Sequence, residues 1–228
     1  ECHAVWAHDS VRKNASSGGV YPVMAKEVLS RDGVVYGAVL DLESAACKIT
    51  RIADETELSL SQHSKYVQSD TGAAFSSVKK DLENNKMVLY VGLPCQIAGL
   101  KRFLKTSNVS EEQLITIDLL CAYAPPPKAL QRYYKETWEG KEVQELVFRA
   151  KEKTGWSFAG YQVVLKDGTS VFPEWTEDDY TMGFHSYIMR RDLCEHCRYA
   201  DFPREGDLTI GDFWGIERHD ASWNDSKG

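Results

Sequence analysis

The chain has 228 residues, 43% hydrophobic and 27% charged, with a formal net charge of −7 at neutral pH. That length buries a real core in one large domain or two small ones, and an acidic balance argues against a generic nucleic-acid surface, which needs a basic face. No run of about 18 apolar residues and no signal-peptide pattern is present, so neither a membrane span nor export is expected.

The chain opens on ECHAVWAHD without an initiator methionine and stops at NDSKG, which reads as a piece of something longer. His3–Ala7 reads as a strand, and a helix running to Gly33 follows the loop Asn14–Gly19, NASSGG. Two serines and two glycines at a helix start direct hydroxyls and free N–H groups at one spot and suit a phosphate. The same four residues also describe an ordinary Ser-capped helix. Val34–Leu40 and Cys47–Ile52 read as strands, and the helix TGAAFSSVKKDLEN comes after SKYVQSD. KMVLYVGLPC is a short apolar strand ending in Gly-Leu-Pro-Cys; the helix QIAGLKRFLK, the strand LITIDLLC and the helix KALQRYYKETW follow. Strand, helix, strand in this rhythm predicts a parallel sheet with right-handed crossovers. Beyond Gly140, VQELVFRAK and FAGYQVVLKDGTSVF read as antiparallel strands turning at Lys-Asp-Gly, and a helical segment over Tyr180–Arg191 leads to CEHCRYADFPREGDLTIGDFWG. The expected fold is α/β: a mixed, mainly parallel sheet with flanking helices over 1–140 and an antiparallel part over 141–228, in a single domain.

Six cysteines in a chain of this length do not make a secreted disulfide scaffold, so clustered thiols point to metal or redox chemistry and to the cytoplasm. Cys95 follows the strand MVLYVG at a helix start, and Cys121 ends LITIDLL. Neighbouring parallel strands would bring both to the carboxyl edge of one sheet, where open α/β folds bind ligands. A helix start also lowers a thiol's pKa. The pair Cys194/Cys197 follows a helical segment rather than opening one, which argues against a reactive dithiol. One C-x-x-C plus two singles is a four-cysteine set for zinc or for a [4Fe–4S] cluster, and spacing does not choose between them. His196 reads as an exposed filler of the knuckle, Cys2 and Cys47 as non-ligands, and His3, His8, His63, His185 and His219 form no spaced set. No G-x-S-x-G, G-x-G-x-x-G or Walker motif is present.

The segments NASSGGVYPVMAKEVL, SKYVQSD, VLYVGLPCQIAGLKRFL, IDLLCAYAPPP, VFRAKEKTGW and CEHCRYADFPREGDLTIGDFWGIE run in order through nearly the whole chain. In that order and spacing the sequence resembles the coenzyme F420 hydrogenase/dehydrogenase beta-subunit family, which includes the 7-hydroxymethyl chlorophyll a reductases. The resemblance implies an iron–sulfur flavoprotein, a cytoplasmic oxidoreductase carrying FAD and a [4Fe–4S] cluster. It would pass electrons between these and a deazaflavin or another small redox substrate, with an electron-donor protein or a hydrogenase/dehydrogenase-type subunit as partner and no nucleic acid. By resemblance Cys95, Cys121, Cys194 and Cys197 hold the cluster, and Ser16, Ser17, Gly18 and Gly19 cradle FAD phosphate. Lys65, Tyr66, Gln68 and Ser69 line the flavin side, with Arg149, Lys151 and Asp212 as further polar contacts. Trp156 and Trp214 are candidates to pack on the flavin ring or in the core. The sequence departs from the family in two places. The cysteine-rich N-terminal ferredoxin-like segment is absent, and Ala122-Tyr123 with a Pro-Pro-Pro run replaces the more usual His-Gly after Cys121. The second departure places coenzyme F420 itself in question as the substrate. The rival reading is an accessory or docking subunit without catalysis, stabilised by zinc on the four cysteines.

Overall fold

The structure, a computed structural model, describes residues 1–151 and 161–218. Trp156, the end of VFRAKEKTGW and the first residues of the strand expected from Phe158 lie outside the described residues.

Strands β1 (Val34–Asp41) and β2 (Ala46–Ile52) form an antiparallel hairpin; β3 (Val88–Gly92) pairs with β1 and β4 (Leu114–Leu119) with β3, both in parallel. Alternation sorts the apolar side chains of these strands to two faces. Val34, Tyr36, Val88 and Tyr90 pack under helices α4 (Ala74–Glu83) and α5 (Pro94–Thr106) through Val78, Leu82, Ile97, Leu100 and Leu104. Val35, Leu89 and Ile117 turn the other way, toward Ala25 and Val28 of α2 (Val20–Ser30) and Leu58 of α3 (Leu58–Ser61).

A second core lies beside the first. Strands β5 (Val143–Val147), β6 (Gln162–Leu165) and β7 (Ser170–Val171) form a small antiparallel sheet. Its side chains Val143, Leu146 and Val163 meet Leu130, Tyr133 and Trp138 of α6 (Pro127–Trp138) and Tyr180 of α7 (Asp179–His185). Asp178 caps α7 by accepting the Thr181 N–H at 2.8 Å.

The expected mixed, mainly parallel sheet with an antiparallel C-terminal part is present, with three differences in detail. First, the C-terminal part is not antiparallel throughout: β8 (Leu208–Ile210) returns to the first sheet and pairs with β4 in parallel, giving the order β2-β1-β3-β4-β8. Asp207 sets its register by accepting the N–H and the hydroxyl of Thr116 at 2.8 and 2.7 Å. Second, His3–Ala7 is not a strand. The Ala7 N–H donates to Gly18 O at 2.7 Å, which ties the segment to a loop, and the one-turn α1 (Asp9–Arg12) follows. Third, the helix expected over Tyr180–Arg191 stops at His185. Tyr187 takes a left-handed φ of 63°, and a new turn, α8 (Asp192–Glu195), begins after Arg191. Cys194 therefore lies inside a first helical turn, contrary to the expectation that no helix start stands near the pair. Four residues carry little of a helix dipole, and neither cysteine is in a disulfide.

Candidate functional site

A cleft of about 800 Å³ opens where β3, β4 and β8 end, with Gly92, Leu119 and Ile210 in its wall. This is the carboxyl edge of the parallel sheet, the place that the strand pattern predicts for a ligand. Gly92 leaves little room for a side chain there, because a Cβ would sit 3.0 Å from Gln96 Oε1. That oxygen accepts the Leu93 N–H at 3.0 Å while the Gln96 amide donates to Ser69 O and Oγ at 2.9 and 3.0 Å. Gly-Leu-Pro-Cys-Gln is thus the start of α5, with Pro94 in its first turn and Cys95 beside it.

Ten of the twelve predicted cofactor residues line the cleft: Ser16, Ser17, Gly18, Gly19, Lys65, Tyr66, Ser69, Arg149, Asp212 and Trp214. Neither serine is the N-cap of α2. That position is Gly19, at φ 81° and without a side-chain cap, while Ser16 Oγ accepts the Ser64 N–H at 2.8 Å and joins the two loops. The other two act from behind. Lys151 Nζ donates to the carbonyls of Arg12 and Ser17, both at 3.0 Å, and Gln68 faces Arg191. Burial holds Lys65 and Lys151 down to about 8 each.

Arg149 is almost fully buried and donates from Nη1 to Asp212 Oδ2 at 2.7 Å, with Trp214 stacked 5.8 Å from the guanidinium carbon. Its Nε and Nη2, and Asp212 Oδ1, are buried without a hydrogen-bond partner among the described residues. Buried donors and acceptors are rarely left so, since each costs about 1–3 kcal/mol. In the wall of a cleft they fit a polar ligand that satisfies them. Trp214 is half exposed in that wall and not part of the core.

The far end of the cleft is aromatic. Phe184 stacks on Tyr66 at 4.3 Å and on Tyr123 at 5.0 Å. The Tyr123 hydroxyl donates to Phe184 O, and burial pushes it up to about 12. The residue that departs from the family pattern therefore stays protonated at neutral pH and serves packing.

The four predicted cysteines come from three stretches of chain, and Cys95, Cys194 and Cys197 all lie near enough to Cys121 for their charges to act on it. Burial first, and then the charges of Cys95, Cys194 and Cys197, push the Cys121 thiol up to about 12. Cys95 is raised likewise by burial and by Cys197 and Cys194. Cys121 also lines the cleft. Among the described residues no three His, Cys, Asp or Glu side chains are drawn together as ligands of a single metal ion. Asp118 anchors the corner: fully buried, it accepts the N–H groups of Glu205 and Gly206 at 3.1 and 3.0 Å and pairs with Arg204 at 3.4 Å. Cys47 is a buried thiol raised to about 11 by that burial, and Cys2 and His196 are exposed.

His63 is the residue that the sequence reading missed. It lines the cleft at a left-handed φ of 66° with its Nδ1 buried and unpartnered among the described residues, and burial lowers its pKa, helped by Lys65 and Lys151. Nothing in SQHSKYVQ marks it, because its place in the cleft wall comes from the loop conformation. Among the described residues no helix is long and apolar enough to cross a membrane.

A family profile for the C terminus of the coenzyme F420 hydrogenase/dehydrogenase beta subunit matches residues 85–225. Among solved structures, a chain of the xenon-derivatised F420-reducing [NiFe] hydrogenase complex from Methanosarcina barkeri superposes with a TM-score of 0.56 at 14% identity. The alignment covers 85% of this chain and 63% of that one, so this chain spans under two thirds of its neighbour's length, and the likeness is one of fold. No curated protein sequence matches the chain.

Proposed function

The chain belongs to the C-terminal family of coenzyme F420 hydrogenase/dehydrogenase beta subunits, and from that premise we propose that it is an iron–sulfur flavoprotein oxidoreductase module. Cys95, Cys121, Cys194 and Cys197 would hold a [4Fe–4S] cluster, and the cleft would hold FAD. When bound, the flavin supplies two-electron chemistry and the cluster one-electron relay. The observation that carries this reading is Cys121, which lines the cleft and also feels the charges of the other three thiols. One residue would thereby belong to both sites.

The chain's own groups divide the work. Arg149 keeps Nη1 on Asp212 and offers Nε and Nη2 to a phosphate or carbonyl oxygen, while Asp212 Oδ1 is left to accept a proton donor of the ligand. Lys65, cationic at neutral pH, adds positive charge to the same wall. Lys151 holds the Ser16–Gly19 loop in place through Ser17 O. The electron acceptor is a deazaflavin such as coenzyme F420 or another small redox substrate, and the donor is an electron-carrying protein or a hydrogenase/dehydrogenase-type subunit.

Purification without oxygen tests the reading. A brown chain with about four irons and a flavin absorbance supports it. A colourless chain with one zinc would overturn it in favour of an accessory subunit stabilised by the four cysteines.

A further inference from the structure

Arg191 stands between the cysteines and the cleft, and the reading above gives it no role. Its guanidinium makes three bonds to three separate stretches of chain. Nη2 donates to Cys194 Sγ at 3.3 Å, Nε to Ala124 O at 3.0 Å, and Nη1 to Gln68 Oε1. The first is in the C-x-x-C turn and the second follows Cys121. The third lies between Tyr66 and Ser69 of the cleft wall, and the Gln68 N–H returns the tie by donating to Pro125 O at 3.0 Å. Among the described residues no carboxylate stands within ion-pair distance of Arg191, so its charge is not cancelled locally.

A planar fork of fixed N–H groups is suited to this, because each bond constrains the direction of the other two. An N–H donor and a positive charge at a ligating sulfur stabilise the more negative, reduced state of a cluster and so raise its reduction potential. We infer that Arg191 is a positioning residue that raises the reduction potential of the cluster through Cys194 and fixes the cysteine corner against the cleft wall through Gln68. This rests on the cluster reading above.

The test is a redox titration of the anaerobic holoprotein followed by electron paramagnetic resonance, with iron content measured in parallel. At the wild-type midpoint, Arg191→Gln should lower the ratio of reduced to oxidised cluster about tenfold, a shift of roughly −59 mV for one electron. Arg191→Lys keeps the charge but not the fork, and Gln68→Leu removes one anchor. Each should shift the midpoint in the same direction by a smaller amount. If Arg191→Gln fails to retain iron, these two variants decide. An unmoved midpoint in iron-loaded variants overturns the inference and leaves the cluster reading intact. A wild-type chain that never takes up iron overturns both.

Discussion

The cleft and the cysteine corner share one sheet edge but are held together in different ways. The cleft is walled by strand ends and by residues rooted in two cores, such as Arg149, 6% exposed, and Tyr66 against Phe148. The corner is the first turn of α5, a one-turn helix and loops, with Cys95 exposed and Leu193 and Phe202 exposed by 80 and 86%. Apolar packing makes the first rigid whether or not a ligand is there. Side-chain ties from Arg191, Arg204 and Asp118 hold the second, and a bound cluster would add to its order.

The strongest test of the difference is Cys194→Ala. It should reduce iron from about four per chain to near none, while the flavin absorbance of the purified chain is retained. Loss of both cofactors together would show that the two regions form a single unit.

Next in size is Asp118→Ala, which leaves Arg204 buried without its counter-ion and two N–H groups without an acceptor. Denaturant unfolding should show a loss of about 3–5 kcal/mol. Removing a buried ion-pair partner at the root of the corner damages the sheet beneath it, whereas changes at the thiols do not.

Arg149→Met addresses the cleft alone. The FAD dissociation constant should rise about 10- to 100-fold, roughly 1.4–2.8 kcal/mol, in a fluorescence titration, with iron content unchanged. Equal loss of iron would mean that Arg149 supports the corner as well.

The smallest effect is on pH. Burial holds Lys65 and Lys151 at about 8, below the ordinary lysine value of 10.5. In the free chain such a depressed value adds stability above the unfolded pKa, and that stability is lost as pH falls through the folded one. A phosphate-bearing ligand reverses the preference by favouring the charged amines. FAD affinity should therefore weaken several-fold from pH 7 to about 9.5, and Lys65→Met should flatten that profile. A flat profile in the wild type would remove Lys65 from the binding wall.

Much of this was legible along the chain. Alternating apolar residues marked β1, β3 and β4, and glycine and proline marked the starts and ends of helices, because those signals act between near neighbours. Cys95 and Cys121 were placed at one sheet edge by the same logic, each following the end of a strand. Other features had no local sign. Tyr187 broke a helix that the pattern continued to Arg191, and β8 returned to the parallel sheet because Asp207 found Thr116, 91 residues away. The Arg149–Asp212 pair joins residues 63 apart, and Arg191 reaches Gln68 across 123.

The sequence by itself determined the α/β class, the cysteine inventory and the glycine- and serine-rich loops, since periodicity and turn chemistry are properties of adjacent residues. The tertiary structure alone decided which buried polar atoms lack partners among the described residues, that Cys121 lines the cleft, and that Arg191 ties Cys194 to Ala124 and Gln68. Those facts depend on distances between segments far apart in the chain, and hydrogen bonds and charges act over a few ångströms of space whatever the separation in sequence.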